Sequence, residues 1–188
     1  MPNPIRILAF SGSARRDSLN KKLLAVAVSA VRAAGGEVTL VDLTDFALPV
    51  YNGDLEEKEG LPANAVKLIA LIQQHPALLI ASPEYNSMIT PLLKNTIDWC
   101  TRDEENPFIG KVAAVVSASP GPFGGVRSMA MAKALLLHLG CHIVPAQCFL
   151  IKAHEAFDEK GALKEARNQK AVDALAAQLV QTATKLTA

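Results

Sequence analysis

The chain has 188 residues, half of them hydrophobic and 20% charged. That composition can bury one core and excludes global disorder. Nineteen Lys and Arg against eighteen Asp and Glu leave a formal net charge of +1, and only 5% of residues are aromatic. Neither a basic footprint for nucleic acid or anionic membrane nor an aromatic platform for single strands is expected.

The first element is a strand, Ile5 to Phe10, closed by Ser11-Gly12-Ser13. A helix follows from Leu19 to Ala34, with Leu19, Leu23, Val26, Ala27, Ala30 and Val31 along one face and Gly35-Gly36 as its stop. Val38 to Asp42 reads as the second strand. Leu43 to Pro62 is too long for a plain connector, so it is either functional or a mobile excursion. Ala63 to Gln74 is the second helix, Pro76 the break, and Ala77 to Ser82 the third strand. Pro91 opens a third helix running to Cys100, at the helix position proline favours. Lys111 to Ser117 is the fourth strand, Gly121 to Gly125 a flexible bend, and Val126 to Leu139 a helix capped by Gly140. A fifth strand, His142 to Ala146, and a terminal helix, Lys164 to Leu186, complete the pattern.

Strands alternating with helices predict a parallel sheet covered on both faces. Five of them suit an α/β, doubly wound, flavodoxin-like order of 2-1-3-4-5 in one domain spanning residues 1–188. Apolar runs such as Ala77 to Ala81 fall far short of the roughly twenty residues needed to cross a bilayer. The amino-terminal Met1-Pro2-Asn3-Pro4-Ile5-Arg6 lacks a signal-peptide core. Cys100, Cys141 and Cys148 form no CxxC pair and are odd in number, so a reducing, cytoplasmic setting is expected.

In such a sheet ligands bind beyond the carboxyl ends of the strands, between strands one and three. The loop Ser11-Gly12-Ser13-Ala14-Arg15-Arg16-Asp17-Ser18-Leu19-Asn20 joins a strand to a helix there. Free backbone amides and the positive helix end favour an anion, and small Ser and Gly let a phosphate approach. The same residues also suit an ordinary helix cap by Asp17 or Ser18. Neither GxxxxGK[ST] nor GxGxxG is present, which favours a monophosphate over a buried pyrophosphate. After strand three, Ser82-Pro83-Glu84-Tyr85-Asn86 offers a stiff edge with an aromatic body and polar rim, suited to a flat heterocycle. Beyond it Leu93, Ile97 and Trp99 sit at helical spacing, as core or interface residues do, while Lys94, Asn95 and Asp98 can fix the loop to its helix. After strand four, Ser117 to Gly125 combines glycines that admit a ligand ring with prolines that hold the loop open, although a plain turn before a helix explains them equally. Other chemistries are poorly matched. Ser11 and Ser82 occupy the strand ends where a signalling receiver needs acids, Ser11-Gly12-Ser13 is no GxSxG elbow, and His138, Cys141 and His142 lack a repeated ligand pair.

Gly12-Ser13-Ala14-Arg15-Arg16-Asp17-Ser18-Leu19-Asn20 resembles the GSxRxxSxN phosphate loop of the NADPH-dependent FMN reductases, a family that includes quinone, chromate and azo reductases. Pro83-Glu84-Tyr85-Asn86 with Leu93-Lys94-Asn95-Thr96-Ile97-Asp98-Trp99 is similar to its PEYN…LKNxIDW element. The likeness spans the chain and departs at Met88, where many members have Ser, and at Thr90-Pro91, where they have Pro-Gly. It implies an FMN phosphate held by Ser13, Arg15, Ser18 and Asn20 with their amides, Ser11 and Leu19 completing that side of the site. It places Pro83, Glu84, Tyr85 and Asn86 along the isoalloxazine edge, and Ser117 and Gly121 opposite. The implied reaction passes a hydride from NADPH, or alternatively NADH, to the flavin and then to a small-molecule acceptor such as free flavin or a quinone, in ping-pong order with no side-chain nucleophile. The broad apolar face of Val126 to Leu139 and the resemblance together imply a homodimer or homotetramer, with Trp99, Arg102 and the Leu43–Pro62 stretch bordering a neighbour's pocket. The alternative is a flavodoxin-like electron carrier without nicotinamide turnover; flavodoxins are usually strongly acidic, whereas this chain is near neutral.

Overall fold

Alternation within the strands decides which helices cover which face of the sheet. In the computed structural model, which describes residues 3–187, β1 (Arg6–Ser11) turns Ile7 and Ala9 to one side and Leu8 and Phe10 to the other. Met1 and Pro2, at the head of the amino-terminal segment read above, and Ala188 lie outside the described residues. The first side packs on α1 (Leu19–Ala33) and the terminal helix through Leu23, Val31, Leu175 and Leu179; the second packs on the middle helices through Leu68, Ile72, Leu93, Ile97 and Met129. Strands β3 (Ala77–Ala81) and β4 (Val112–Ala118) are buried along their whole length, which is why their sequences read as unbroken apolar runs.

The remaining elements are β2 (Glu37–Val41), α2 (Gly53–Glu59), α3 (Ala63–Gln74), α4 (Pro91–Cys100), α5 (Val126–His138), β5 (His142–Ile143), β6 (Cys148–Leu150) and α6 (Ala166–Thr187). Pairing is parallel throughout, in the order β2-β1-β3-β4-β5, with Ile7 opposite both Val38 and Ala77 and with Ala77 opposite Val112. The expected 2-1-3-4-5 flavodoxin-like order is therefore present. Most boundaries fall within a residue or two of expectation.

One strand departs from it. The expected strand from His142 to Ala146 ends instead at Ile143 as β5, and a further short strand that was not expected, β6, follows it; both are bonded to β4. Between them the register against β4 slips by two residues, around Pro145, which has no N–H to give the ladder. Side chains satisfy the interrupted backbone: Gln178 Oε1 accepts from the Ala146 amide at 2.8 Å, and Lys133 Nζ donates to the Ala146 carbonyl at 3.1 Å.

The Leu43–Pro62 excursion is docked on α4. It holds a single 3₁₀ turn, Leu43–Phe46, followed by α2. The Pro49 carbonyl accepts from the Trp99 indole at 2.8 Å and from Asn95 Nδ2 at 2.9 Å, while Asn95 Oδ1 accepts from the Tyr51 amide at 2.8 Å. Tyr51 meets Trp99 edge-on at 5.1 Å, donates to Glu56, and lies beneath the Arg102 guanidinium. Trp99 is thus wholly buried inside the chain's own fold, so its side chain cannot itself border a neighbour's pocket; Arg102 stays on the surface. Replacing Asn95 with Ala strands the Tyr51 amide and removes one donor from Pro49, and should cost about 1–3 kcal/mol. Urea unfolding together with limited proteolysis will read this as a lower midpoint and faster cutting between residues 47 and 60. An unchanged midpoint would mean the excursion is held elsewhere.

Candidate active site

Three loops converge at the carboxyl ends of β1, β3 and β4. The loop after β1 leaves the sheet with Gly12 still bonded to it, its amide donating to the Ala81 carbonyl at 2.9 Å. A Cβ on Gly12 would fall 2.8 Å from Leu93 Cβ and 3.0 Å from Thr90 Oγ1, so the loop lies directly against α4. Thr90 fastens it there: its hydroxyl donates to the Gly12 carbonyl at 2.6 Å and accepts from the Leu93 amide as the cap of α4. Sequence reading noted Thr90-Pro91 only as a departure, yet a Thr directly before a proline at a helix start is a capping signal.

Beyond Gly12 the loop is open. Ser13 Oγ accepts from the Arg15 amide, and Ser18, not Asp17, caps α1 by accepting from the Lys21 amide, both at 3.3 Å. The amides of Ser13, Ala14, Arg16 and Asp17 donate to no group among the described residues. Arg15 is exposed and forms no ion pair among them. Unpaired amides, a helix amino terminus and a free guanidinium make an anion cradle.

After β3, Tyr85 to Met88 form a two-residue hairpin, with Tyr85 and Met88 exchanging backbone bonds and both Asn86 and Ser87 at positive φ. Asn is favoured in such a turn. Tyr85 stands 47% exposed beside the opening and Asn86 is exposed at its tip. Serines lock the exit from β3: Ser128 Oγ donates to the Pro83 carbonyl at 2.7 Å and lies 2.7 Å from Ser82 Oγ.

A cavity of about 90 Å³ marks the meeting point, bounded by Ser13, Arg15, Ser18, Leu19 and Asn20 on one side and by Pro83, Glu84 and Tyr85 with Ala118, Ser119 and Pro120 on the other. Larger clefts, of about 430 Å³ beside β6 and α6 and about 550 Å³ against α1, lie off these loops, so size does not select the site; the donor set does.

Four expected residues are placed differently. Ser117 is fully buried and donates to the Ser82 carbonyl at 2.7 Å, so it braces the strand ends rather than facing the cavity. Ser11 points with Ile7 and Ala9 to the α1 side, into a separate cleft of about 330 Å³ with Lys21 and Asp42, its hydroxyl unpartnered among the described residues. Asn20 borders the cavity, but its amide grips Ala118, donating to the carbonyl at 2.8 Å and accepting from the amide at 3.0 Å. Gly121 lies just past the lining, its amide donating to Ser119 Oγ.

Glu84 borders the cavity too, but its carboxylate is turned toward α5. It accepts from the guanidinium of Arg127 and, at 3.2 Å each, from the backbone amides of Arg127 and Ser128. Burial raises the pKa of this carboxyl, but the bonds from Arg127 and the Ser128 amide outweigh it and hold the group below its ordinary value. Neither Arg127 nor Ser128 stood out in the sequence.

Residues 5–156 match the sequence model of the NADPH-dependent FMN reductases. The chain belongs to that family. It is 36% identical over 164 residues to an NAD(P)H-dependent FMN reductase of Pseudomonas aeruginosa, covering 87% of this chain and 86% of that protein. Against a quinone reductase of Escherichia coli it is 30% identical over 145 residues, with 77% and 76% covered. The structure superposes on FerB, a flavoenzyme NAD(P)H:acceptor oxidoreductase of Paracoccus denitrificans, with a TM-score of 0.81 at 30% identity, covering 96% of this chain and 98% of that one. An archaeal flavodoxin, 8% identical with a TM-score of 0.62, shares the fold alone. The protein is accordingly a flavin-dependent NAD(P)H oxidoreductase with FMN as its cofactor. The residues fit that group: an amide-lined loop after β1 that a side chain on Gly12 would disrupt, a free arginine, and no carboxylate among the cavity-lining residues on the phosphate side.

Two expectations follow. Gly12→Ala forces Leu93 or Thr90 to move and should destabilise the fold by about 1–3 kcal/mol; thermal unfolding with and without FMN will show a lower midpoint and a smaller ligand-induced rise. Because the pKa of Glu84 is lowered in the folded state, its stabilisation is complete above the unfolded carboxyl value and lost as pH falls through the folded one. Stability of the native protein should therefore fall more steeply below pH about 4.5 than that of Glu84→Gln, in denaturant midpoints measured across pH. Parallel acid limbs would show that the pairing contributes nothing.

Proposed function

We propose that Ser13, Arg15, Ser18 and the amides of Ser13, Ala14, Arg16 and Asp17 hold the phosphate of FMN, with Leu19 beside them. Pro83, Tyr85 and Asn86 border one edge of the ring, and Ser119 to Gly121 the other. The observation that carries this reading is the set of unpaired amides beside an unpaired Arg15 at the start of α1. Asn20, Thr90 and Ser117 act one step back, each tying a loop to a neighbouring strand or helix.

FMN held there would supply the redox chemistry for moving a hydride from NADPH or NADH to a quinone, free flavin or similar small acceptor in a ping-pong sequence. For that sequence donor and acceptor must use one opening in turn, and the exposed Tyr85 beside the cavity leaves room on that side. The chain's own part is orientation: fixed amide dipoles at the phosphate end and two anchored loops around the ring. No side chain need act as nucleophile or proton donor.

The whole chain acts as one FMN-binding reductase domain in this reading, and works in the cytoplasm as a dimer or tetramer. Burial pushes the thiols of Cys100, Cys141 and Cys148 up to about 12, so all three remain unreactive thiols, in keeping with a reducing compartment.

The test is titration of purified protein with FMN by flavin fluorescence, followed by anaerobic reduction with each nicotinamide and an acceptor panel. Native protein should bind FMN and oxidise NADPH, and Arg15→Ala should weaken FMN binding about 10- to 100-fold through loss of a charge-assisted contact. A protein that stays flavin-free, or that binds FMN but oxidises neither nicotinamide, would sink the reductase reading.

A further inference from the structure

The amino terminus of α5 has an unusual cap. Its N-cap residue is Gly125, in the left-handed region at φ 79°, so it carries no side chain to accept from the first-turn amides. Nor can it be given one. A Cβ at Gly125 would lie 2.0 Å from Ser117 Oγ, the hydroxyl that braces the end of β3. The amides of Arg127 and Ser128, at the second and third positions of the helix, are those an N-cap side chain normally satisfies. Both are satisfied instead by Glu84 Oε2, from a different loop 43 and 44 residues away. Its other oxygen takes the guanidinium of Arg127, whose central carbon lies 4.9 Å from the centre of the Phe123 ring.

We infer that Glu84 is a positioning residue for the flavin ring: it caps α5 from outside and so fixes the 119–125 loop relative to the Tyr85–Met88 hairpin, the two loops that flank the ring. The inference rests on the FMN reading proposed above. The geometry supports it at both ends. The start of the 119–125 loop is tied to the β6 side, where the Ser119 amide donates to Leu150 and the Ala153 amide to Ser119. Its middle and far end meet that side as well, the Lys152 amide donating to the Gly121 carbonyl at 3.3 Å and a Cβ on Gly124 falling 3.0 Å from the Ile151 nitrogen, and Gly125 then leads directly into α5, where Glu84 adds a tie from the hairpin side. Glu84 itself directly precedes Tyr85 at the cavity. One carboxylate therefore spans the gap between the walls, with its oxygens engaged by α5 and Arg127 and its side chain only 8% exposed. Met129, one residue further along α5, is already core, so the anchored turn runs straight into the packed helix.

Four variants test this: Glu84→Ala, Glu84→Gln, Arg127→Gln and the double Gln variant. In flavin-free protein, amide hydrogen exchange at Arg127 and Ser128 should speed up about tenfold or more in Glu84→Ala, which leaves both amides without their acceptor, and less in Glu84→Gln, whose carbonyl oxygen can still accept, and in Arg127→Gln, which keeps the two backbone bonds. In FMN-loaded protein, Glu84→Gln should raise KM for the nicotinamide about tenfold and alter the visible circular dichroism of the flavin, with kcat and FMN affinity within about threefold of native. The double variant should match Glu84→Gln, since both substitutions break one assembly. Unchanged exchange at Arg127 and Ser128 would overturn the inference. So would a tenfold loss of FMN affinity in Glu84→Gln without faster exchange, which would make the carboxylate a direct flavin contact. Native protein that binds no FMN would defeat the flavin reading, and the ring-positioning role with it, and the exchange arm would still show separately whether Glu84 caps α5.

Discussion

The site exists because the chains leaving β1 and β3 must part. Helix α1 lies on one face of the sheet and α4 on the other, so the two adjacent strands send their crossovers in opposite directions. Backbone pairing persists as far as the Gly12 amide on Ala81 and then ends. Past that point the amides of the first loop have no strand beside them, while the start of α1 adds its own unpaired donors. Unpaired backbone donors are costly unless solvated or bound, and here they are gathered on one small curve of chain. An anion is the economical partner. The fold creates this condition before any side chain contributes.

Side chains then divide into two groups. Some line the cradle: Ser13 and Ser18 each take one backbone amide, of Arg15 and of Lys21, while the neighbouring loop donors and the Arg15 guanidinium stay unengaged among the described residues. Others bind the loops to one another across long sequence separations: Asn20 to Ala118, Thr90 to Gly12, Ser117 to Ser82, Ser128 to Pro83, and Glu84 to the head of α5. The polar network is thus mostly framework. All of its bonds but those of Glu84 are buried, where an unmet partner costs more than in water, so the loops have few alternative arrangements.

That division also explains what could be read in advance. Strand positions, helix extents and the open loop after β1 follow from local signals: unbroken apolar runs, Pro91 at a helix start, Gly35-Gly36 at a helix end, and a Ser-Gly-Ser turn after a strand; the strand order follows from their alternation. Ser13, Arg15, Ser18 and Leu19 lie at the cavity as the local pattern suggests. Ser117, Ser11 and Asn20 were legible as polar residues at strand and helix ends, but Ser117 and Asn20 are turned by partners tens of residues away, and Ser11, unpartnered among the described residues, simply follows the alternation of β1 to the α1 side. In Asn20 the partner is 98 residues distant. The break of the fifth strand had a visible cause in Pro145, which a short apolar pattern from His142 to Ala146 concealed. The excursion offered Pro49, Tyr51 and Gly53 but no sign that Asn95 and Trp99 would receive it.

The sequence departures fall where the framework and the opening meet. Thr90 supplies a hydroxyl that caps α4 and binds Gly12 at once, so the exchange of Pro-Gly for Thr-Pro adds a tie between the first two loops. Met88 does the opposite: at 52% exposed it ends the hairpin next to Tyr85 with a flexible, polarizable side chain and no hydrogen bond of its own. A Ser at that position would offer a fixed polar group; Met offers an adaptable apolar surface. The two changes therefore act at different places: Thr90 fixes the first loop against α4, while Met88 leaves the hairpin tip a flexible apolar surface beside Tyr85.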